Sequence, residues 1–102
     1  MDALADLHVS AETIADFCRR WKVKEFALFG SAARAEMRPD SDVDVMVEFE
    51  PDGLPHGWGY IDMILELEDL FGRSVDMLTK GIIRNPFRRR SIERDLIVLY
   101  AA

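Results

Sequence analysis

One segment in the middle of the chain constrains the fold more than any other part of the sequence. Residues 42–49 alternate acidic or polar side chains with apolar ones. A period of two is typical of a β-strand, because successive side chains point to opposite faces of the sheet. The pattern predicts a half-buried strand with a valine face and an acidic face. The first consists of Val43, Val45 and Val47, and the second of Asp42, Asp44, Met46 and Glu48.

The sequence predicts a helix before this strand and another after it. Ser10 is a suitable N-cap for a helix predicted over 11–22, and Gly72 is a natural stop for a second helix predicted over 59–71. In both, apolar residues recur at the spacing of one helix face. They are Ile14, Phe17, Cys18 and Trp21 in the first helix, and Tyr60, Met63, Ile64, Leu67, Leu70 and Phe71 in the second.

Shorter segments complete an alternation of helices and strands. Apolar runs predict three further strands, residues 32–36 predict a short helical stretch, and Asn85-Pro86 is a typical start for a helix that ends near Arg94. The order α-β-α-β-α-β-α-β in 102 residues predicts a single α/β domain over 1–102. We expect a mixed sheet of about four strands with helices packed mainly on one face. The three further strands are predicted over 26–29, 75–78 and 96–100.

Charge and composition limit the classes of partner. The net charge is −6, with 17 acidic and 7 basic residues over 1–79 but 2 acidic and 6 basic residues over 80–102. Such an acidic body argues against direct nucleic-acid binding. The basic C-terminal segment is either a docking patch for an anionic partner or a solvated helix face. It contains Lys80, Arg84, Arg88, Arg89, Arg90 and Arg94.

The absence of membrane-spanning and signal segments predicts the cellular compartment. No apolar run approaches the roughly 20 residues of a membrane span, and the N-terminus is acidic where a signal peptide is basic. We therefore expect a cytoplasmic protein without a membrane partner. The single cysteine, Cys18, excludes an intrachain disulfide and a cysteine-based zinc site, and its helix face predicts a core residue rather than a nucleophile.

Two acidic residues on the central strand are the first candidates for chemistry. Asp42 and Asp44 are two positions apart, so their carboxylates project from the same face. Like charges this close need a positive partner, and Mg²⁺ favours one or two carboxylates together with phosphate oxygens. Taken alone, the pair favours a solvated outer strand face, since acidic motifs of three residues are common.

A glycine–serine turn and a third acid strengthen the metal interpretation. Gly30-Ser31 follows a predicted strand, where a backbone without a Cβ and a hydroxyl could hold a phosphate. Asp76 is flanked by apolar residues, a costly place for a charge unless it is paired or bound to metal. Two Mg²⁺ ions held by these acids would stabilise both oxygens of an in-line displacement. The candidate ligands are Asp42, Asp44 and Asp76.

The segment GSAARAEMRPDSDVDVMVEF resembles the signature of the minimal nucleotidyltransferases of the DNA polymerase β-like superfamily, which is Gly-Ser, ten residues and Asp-x-Asp. The spacing from Ser31 to Asp42 fits it, and the resemblance extends to Val75-Asp76. The family often carries glycine after the arginine where this chain has Ala35, a departure that affects loop flexibility more than chemistry.

The resemblance implies a role for each matched residue. It implies a polymerase β-like nucleotidyltransferase core, with three aspartates as catalytic Mg²⁺ ligands and ATP as the substrate. Asp76 would also be the base for the attacking hydroxyl. Arg34 either contacts phosphate or pairs with a nearby acid. The implied nucleotide-binding residues are Gly30, Ser31, Arg34 and Ser41, and the implied catalytic residues are Asp42, Asp44 and Asp76.

Small members of this family are commonly antitoxins. The resemblance implies transfer of AMP from ATP to a tyrosine of a HEPN-type helical toxin ribonuclease, which would be the partner. One alternative is a binding module that neutralises its partner by steric contact. A less favoured one is a nucleotidyltransferase acting on a small molecule. Trp58 either stacks on a base or, more simply, packs at the helix entry, and His56 is expected to be a plain loop residue.

Overall fold

Helices and strands alternate through the part of the chain that the structure describes. In this computed structural model the described residues are 7, 9–34, 38, 41–80 and 96–102. The helices and strands are α1 (Ala11–Arg20), β1 (Val23–Phe29), α2 (Gly30–Ala33), β2 (Val43–Phe49), α3 (Gly59–Phe71), β3 (Val75–Thr79) and β4 (Ile97–Ala101).

The strands form one mixed sheet in the order β3-β2-β1-β4. β1 runs antiparallel to β2 and to β4, while β2 runs parallel to β3. The parallel pair is joined through α3, as parallel strands require a crossover connection. The mixed four-stranded sheet agrees with the fold class predicted from the sequence.

The main core lies between the helices and one face of the sheet. The valines of β2 are buried there, against the apolar faces of α1 and α3, so the period-two prediction for 42–49 is confirmed. Burial of these side chains is the main favourable term in the folding of a domain of this size. The buried side chains from the three elements are Val43, Val45, Val47, Ile14, Phe17, Cys18, Met63, Leu67 and Phe71.

The opposite face of the sheet carries a smaller apolar cluster and charged groups. Phe29 and Met46 are buried there against the partly buried Leu78 and Leu96. Further along the sheet, the Lys80 ammonium lies 3.4 Å from the Glu25 carboxylate and 3.8 Å from that of Glu48. We refer to this side as the open face, since the core with α1 and α3 lies on the other side.

The helix ends follow the sequence signals closely. The Ser10 hydroxyl accepts a hydrogen bond from the Thr13 backbone N–H at 3.1 Å, which is the predicted N-cap. α3 ends at Gly72, whose φ of +67° is the left-handed cap that glycine favours. α1 ends at Arg20, two residues before the predicted end, because Lys22 turns the chain with a φ of +57°.

Trp58 corrects a prediction. Its side chain is 77% exposed and does not pack at the helix entry, because it precedes α3 on the side of the helix that faces away from the core. His56 is an exposed loop residue, as expected. The predicted helix from Asn85 to Arg94 and its basic residues lie outside the described residues. No helix in the described part of the chain is long and apolar enough to cross a membrane.

Cys18 provides a test of the packing of α1. Its side chain is fully buried, and burial raises the pKa of the thiol to about 12. The thiolate is the reactive form, so we expect a thiol reagent at pH 8 to leave native Cys18 unlabelled and to label it fully in denaturant. Rapid labelling of the native protein, measured by absorbance and mass, would contradict this packing.

Candidate active site

Two of the predicted acids meet across neighbouring strands. In the parallel pairing of β2 with β3, Asp44 lies beside Asp76. Side chains at paired positions point to the same face of a sheet. Both carboxylates therefore lie on the open face, and the predicted convergence of the two strands is found.

Asp42 completes the acidic group from the residue before β2. It is exposed, and its negative charge acts on Asp44 together with that of Asp76. Partial burial of Asp44, followed by repulsion from these two neighbours, raises the pKa of the Asp44 carboxyl above its ordinary value. The structure thus stores an unfavourable charge arrangement that a cation at this position would relieve.

Asp76 differs from expectation in its burial. The sequence placed it among apolar residues, which predicted a poorly solvated charge, whereas the side chain is exposed. Among the strands that the structure describes, β3 lies at the edge of the sheet, so a side chain on its open face reaches solvent. Among the three acids it is Asp44, on a central strand, that is partly buried.

The contact with Asp44 leaves little room for a side chain at position 30. Phe29, the last residue of β1, pairs with Asp44, so the following residue lies against that carboxylate. Gly30 has a φ of +66°, and a Cβ there would overlap Oδ2 of Asp44 and lie 3.3 Å from its Cγ. Glycine is therefore required both by the left-handed backbone and by the carboxylate beside it. The predicted glycine turn and the predicted acid adjoin one another.

The remaining predicted site residues have different surroundings. Arg34, directly after α2, lowers the pKa of Asp44 by its positive charge and so lies toward the acidic group. The Ser41 hydroxyl accepts a hydrogen bond from the Arg38 backbone N–H at 2.8 Å, directly before Asp42. The side chain of Ser31 lies outside the described residues.

Two residues that sequence reasoning missed form hydrogen bonds beside the strands that carry the acids. The Arg73 guanidinium donates to the backbone carbonyls of Arg38, at 2.6 Å, and Ser41, at 3.3 Å. Glu68 accepts a hydrogen bond from the Val75 backbone N–H at 3.0 Å. The Arg73 bonds join Arg38 and Ser41 to the residue that lies just before β3, and the Glu68 bond joins α3 to the start of β3. No local pattern signals such partners, because 32 to 35 residues separate Arg73 from the carbonyls that it contacts.

The three acids do not form a complete metal site by themselves. Within the described ranges, no three acidic, histidine or cysteine side chains are arranged to hold an ion by themselves. Mg²⁺ commonly takes one or two carboxylates and completes its shell with phosphate oxygens and water. The donor chemistry of Asp42, Asp44 and Asp76 fits an ion that binds together with a phosphate ligand. A cleft of about 300 Å³ beside Trp21 and His56 contains none of these acids.

The contact between Gly30 and Asp44 predicts unequal effects at two glycines of nearly the same φ. Gly72→Ala is the matched control, since a Cβ at Gly72 meets nothing within 4 Å. It should cost about 1 kcal/mol of unfolding free energy, the cost of left-handed backbone alone. Gly30→Ala should cost at least about 1 kcal/mol more, because of overpacking against the carboxylate.

Urea unfolding of the metal-free protein measures both costs. Adding Asp44→Ala to Gly30→Ala should remove the excess over the Gly72→Ala control, because the overlapping atoms are then gone. Equal costs for the two single variants would show that the carboxylate does not lie against Gly30.

The raised pKa of Asp44 predicts a pH-dependent stability. The folded protein binds the Asp44 proton more tightly than the unfolded chain does. Protonation of Asp44 therefore stabilises the fold fully below the ordinary pKa of 3.8, and this stabilisation is lost as the pH rises through the pKa of Asp44 in the folded protein. Asp44→Asn should therefore raise the melting temperature of the metal-free protein at pH 7 and give no such gain at pH 3. Asp69→Asn, an exposed acid on α3, is the control. A lower melting temperature for Asp44→Asn at pH 7 would contradict the repulsion.

Comparison with known proteins identifies the family. A family model described as a nucleotidyltransferase domain matches residues 11–99. A Methanocaldococcus jannaschii protein, provisionally named a protein adenylyltransferase, is 47% identical over 78 residues, 76% of this chain and 78% of that one. The protein adenylyltransferase MntA of Thermococcus cleftensis is 38% identical over 66 residues, 65% of each chain.

Solved structures agree with this sequence similarity. One provisionally described as a minimal nucleotidyltransferase is 33% identical, with a TM-score of 0.72 and 95% of both chains covered. A toxin–antitoxin crystal structure with AMP-PNP has a TM-score of 0.73 at 16% identity, covers 92% of this chain and 75% of that one, and supports the fold alone. The chain belongs to the nucleotidyltransferase domain family.

Proposed function

We propose that this protein transfers AMP from ATP to a hydroxyl of a partner protein, specifically a tyrosine of a HEPN-type toxin, and so acts as its antitoxin. One observation carries the proposal: the parallel register of β2 and β3 sets Asp76 beside Asp44 on the open face, next to the Gly30 turn. Acids beside a glycine turn are suited to a metal-bound triphosphate.

The names of similar proteins support this choice of substrate and partner. The M. jannaschii and T. cleftensis relatives are named as protein adenylyltransferases. Structures of the same fold include a toxin–antitoxin with AMP-PNP and a tri-AMPylated Shewanella oneidensis HEPN toxin in complex with its MNT antitoxin. We extend these properties to this chain as part of the proposal.

The proposed reaction is an in-line displacement at the α-phosphorus of ATP. The acceptor oxygen forms a bond to this phosphorus, the bond to the bridging α–β oxygen breaks, and pyrophosphate leaves. Asp76 is the proposed base that takes the hydroxyl proton, because it is exposed on an edge strand where an acceptor can approach. Bound Mg²⁺ would neutralise the phosphate charge and polarise the α-phosphate.

The other residues prepare the site for this chemistry. Asp42, Asp44 and Asp76 would hold the metal, in a site expected to contain two ions. Gly30 and Ser31 would bind the triphosphate, together with Arg34. Ser41 is also a proposed nucleotide-binding residue, because its hydroxyl accepts a bond from the Arg38 N–H and keeps its own O–H as a donor for a phosphate oxygen. Arg73 positions the residues before β2 relative to those before β3, and Glu68 holds the start of β3 to α3.

The open edge favours a protein acceptor over a small molecule. Asp76 and Asp42 are both exposed, and β3 has a free side at the edge of the described sheet. A site of this kind leaves the acceptor to be supplied and oriented by its own fold. A large partner that brings its hydroxyl to the edge satisfies this requirement.

The test is intact-mass spectrometry of the partner after incubation with this protein, ATP and Mg²⁺. The wild-type protein should add AMP to the partner, and Asp44→Asn or Asp76→Asn should lower the rate at least about 100-fold, since each removes a metal ligand. Asp52→Asn, in the exposed loop after β2, is the matched control and should retain the wild-type rate. EDTA should abolish transfer.

Two results would contradict the proposal. Unchanged transfer by Asp44→Asn and Asp76→Asn would remove these acids from the chemistry. A partner that is neutralised without any gain in mass, equally by the wild type and both variants, would establish the alternative of inhibition by steric contact.

A further inference from the structure

An apolar stripe lies on the outer side of α3, away from the candidate active site. Trp58 is 77% exposed, Ile61 46% and Leu65 52%. Positions 58, 61 and 65 are three and four residues apart, so these side chains share one face of the helix. We refer to these three residues as the α3 stripe.

Core packing does not account for the α3 stripe. Met63 and Leu67 are fully buried and Phe71 nearly so, which completes the inner face of the same helix. Isolated exposed apolar residues are ordinary, but a contiguous row of large ones on a single helix face is typical of a protein-interaction surface. Tryptophan in particular is enriched among residues that dominate binding energy.

The charge beside the stripe indicates what kind of surface would cover it. α3 carries four acidic residues and no basic one. Glu66 is engaged by the Arg20 guanidinium and the Trp21 indole N–H, and Glu68 accepts the bond from Val75. Asp62 and Asp69 are exposed and lie within about 60° of Trp58 around the helix, from the 3.6-residue turn. The stripe therefore has an acidic border.

We propose that the α3 stripe is the docking surface for the acceptor protein, which contacts it with an apolar helix face bordered by lysine or arginine. This inference rests on the proposed function, in that the partner is the protein that receives AMP. Charge complementarity selects this occupant. A second copy of this chain would place Asp62 and Asp69 against acids of the same helix.

The α3 stripe and the candidate active site lie on opposite sides of the sheet, so the partner would be bound at one surface and modified at another. α3 packs on the valine face of the sheet, whereas Asp44 and Asp76 lie on the open face. A partner bound to the stripe leaves the acids uncovered. α3 leads through Gly72 directly into β3, which carries Asp76, so a docked protein can extend one segment around this edge to the acids.

A synthetic peptide pair tests the proposed chemistry on the full chain. One peptide is an amphipathic helix with a leucine face bordered by lysines, and the other has glutamates in place of the lysines. The lysine peptide should bind and shift the Trp58 emission to the blue, and the glutamate peptide should not. The chain alone should sediment as a monomer.

Variants assign the binding to the stripe. Leu65→Gln should weaken the lysine peptide at least tenfold. Val98→Gln is the matched control, since Val98 is 48% exposed on β4, and should bind as the wild type does. Both variants should retain the wild-type circular dichroism, because each replaces an exposed side chain.

Three results would overturn the proposal: equal binding of both peptides, equal effects of Leu65→Gln and Val98→Gln, or a dimer of the chain that Leu65→Gln dissociates. Asp44→Asn should bind the lysine peptide as the wild type does. Absence of AMP transfer by the wild-type protein, with intact binding of the lysine peptide, counts against the catalytic proposal alone, and AMP transfer without binding of the lysine peptide counts against the docking surface alone.

Discussion

The repulsion between Asp44 and Asp76 is the interaction around which the candidate site is organised. Parallel pairing of β2 with β3 places the two carboxylates side by side, and Asp42 adds a third negative charge. The valine face of β2 is buried in the core, so β2 cannot shift its register without exposing these valines. Their burial therefore outweighs the repulsion among the carboxylates. Hydrophobic packing thus holds in place a charge arrangement that favours a cation.

Much of the site could be predicted because its signals are local. The alternation over 42–49 assigns Asp44 to the face opposite Val43 and Val45, and glycine after a strand predicts a special backbone position, which Gly30 confirms. The bounds of α3 and its glycine stop were predicted for the same reason. Propensity, periodicity and caps act over a few residues, so they can be recognised in a single sequence.

Features set by tertiary contacts were not predictable. The exposure of Asp76 depends on β3 being an edge strand, a fact of sheet order rather than of neighbouring residues. The bonds from Arg73 to the carbonyls before β2 join distant parts of the chain. Trp58 was wrongly expected to pack, because the sequence around it does not reveal that the inner face of α3 is already complete.

We propose that the three acids and the Gly30 turn form one metal–triphosphate site. The most direct measurement is anomalous diffraction from crystals grown with Mn²⁺ and a non-hydrolysable ATP analogue. We expect manganese peaks within bonding distance of Asp44, with the triphosphate against Gly30 and Ser31. Manganese and nucleotide bound away from the open face, with Asp44 and Asp76 uncoordinated, would contradict it.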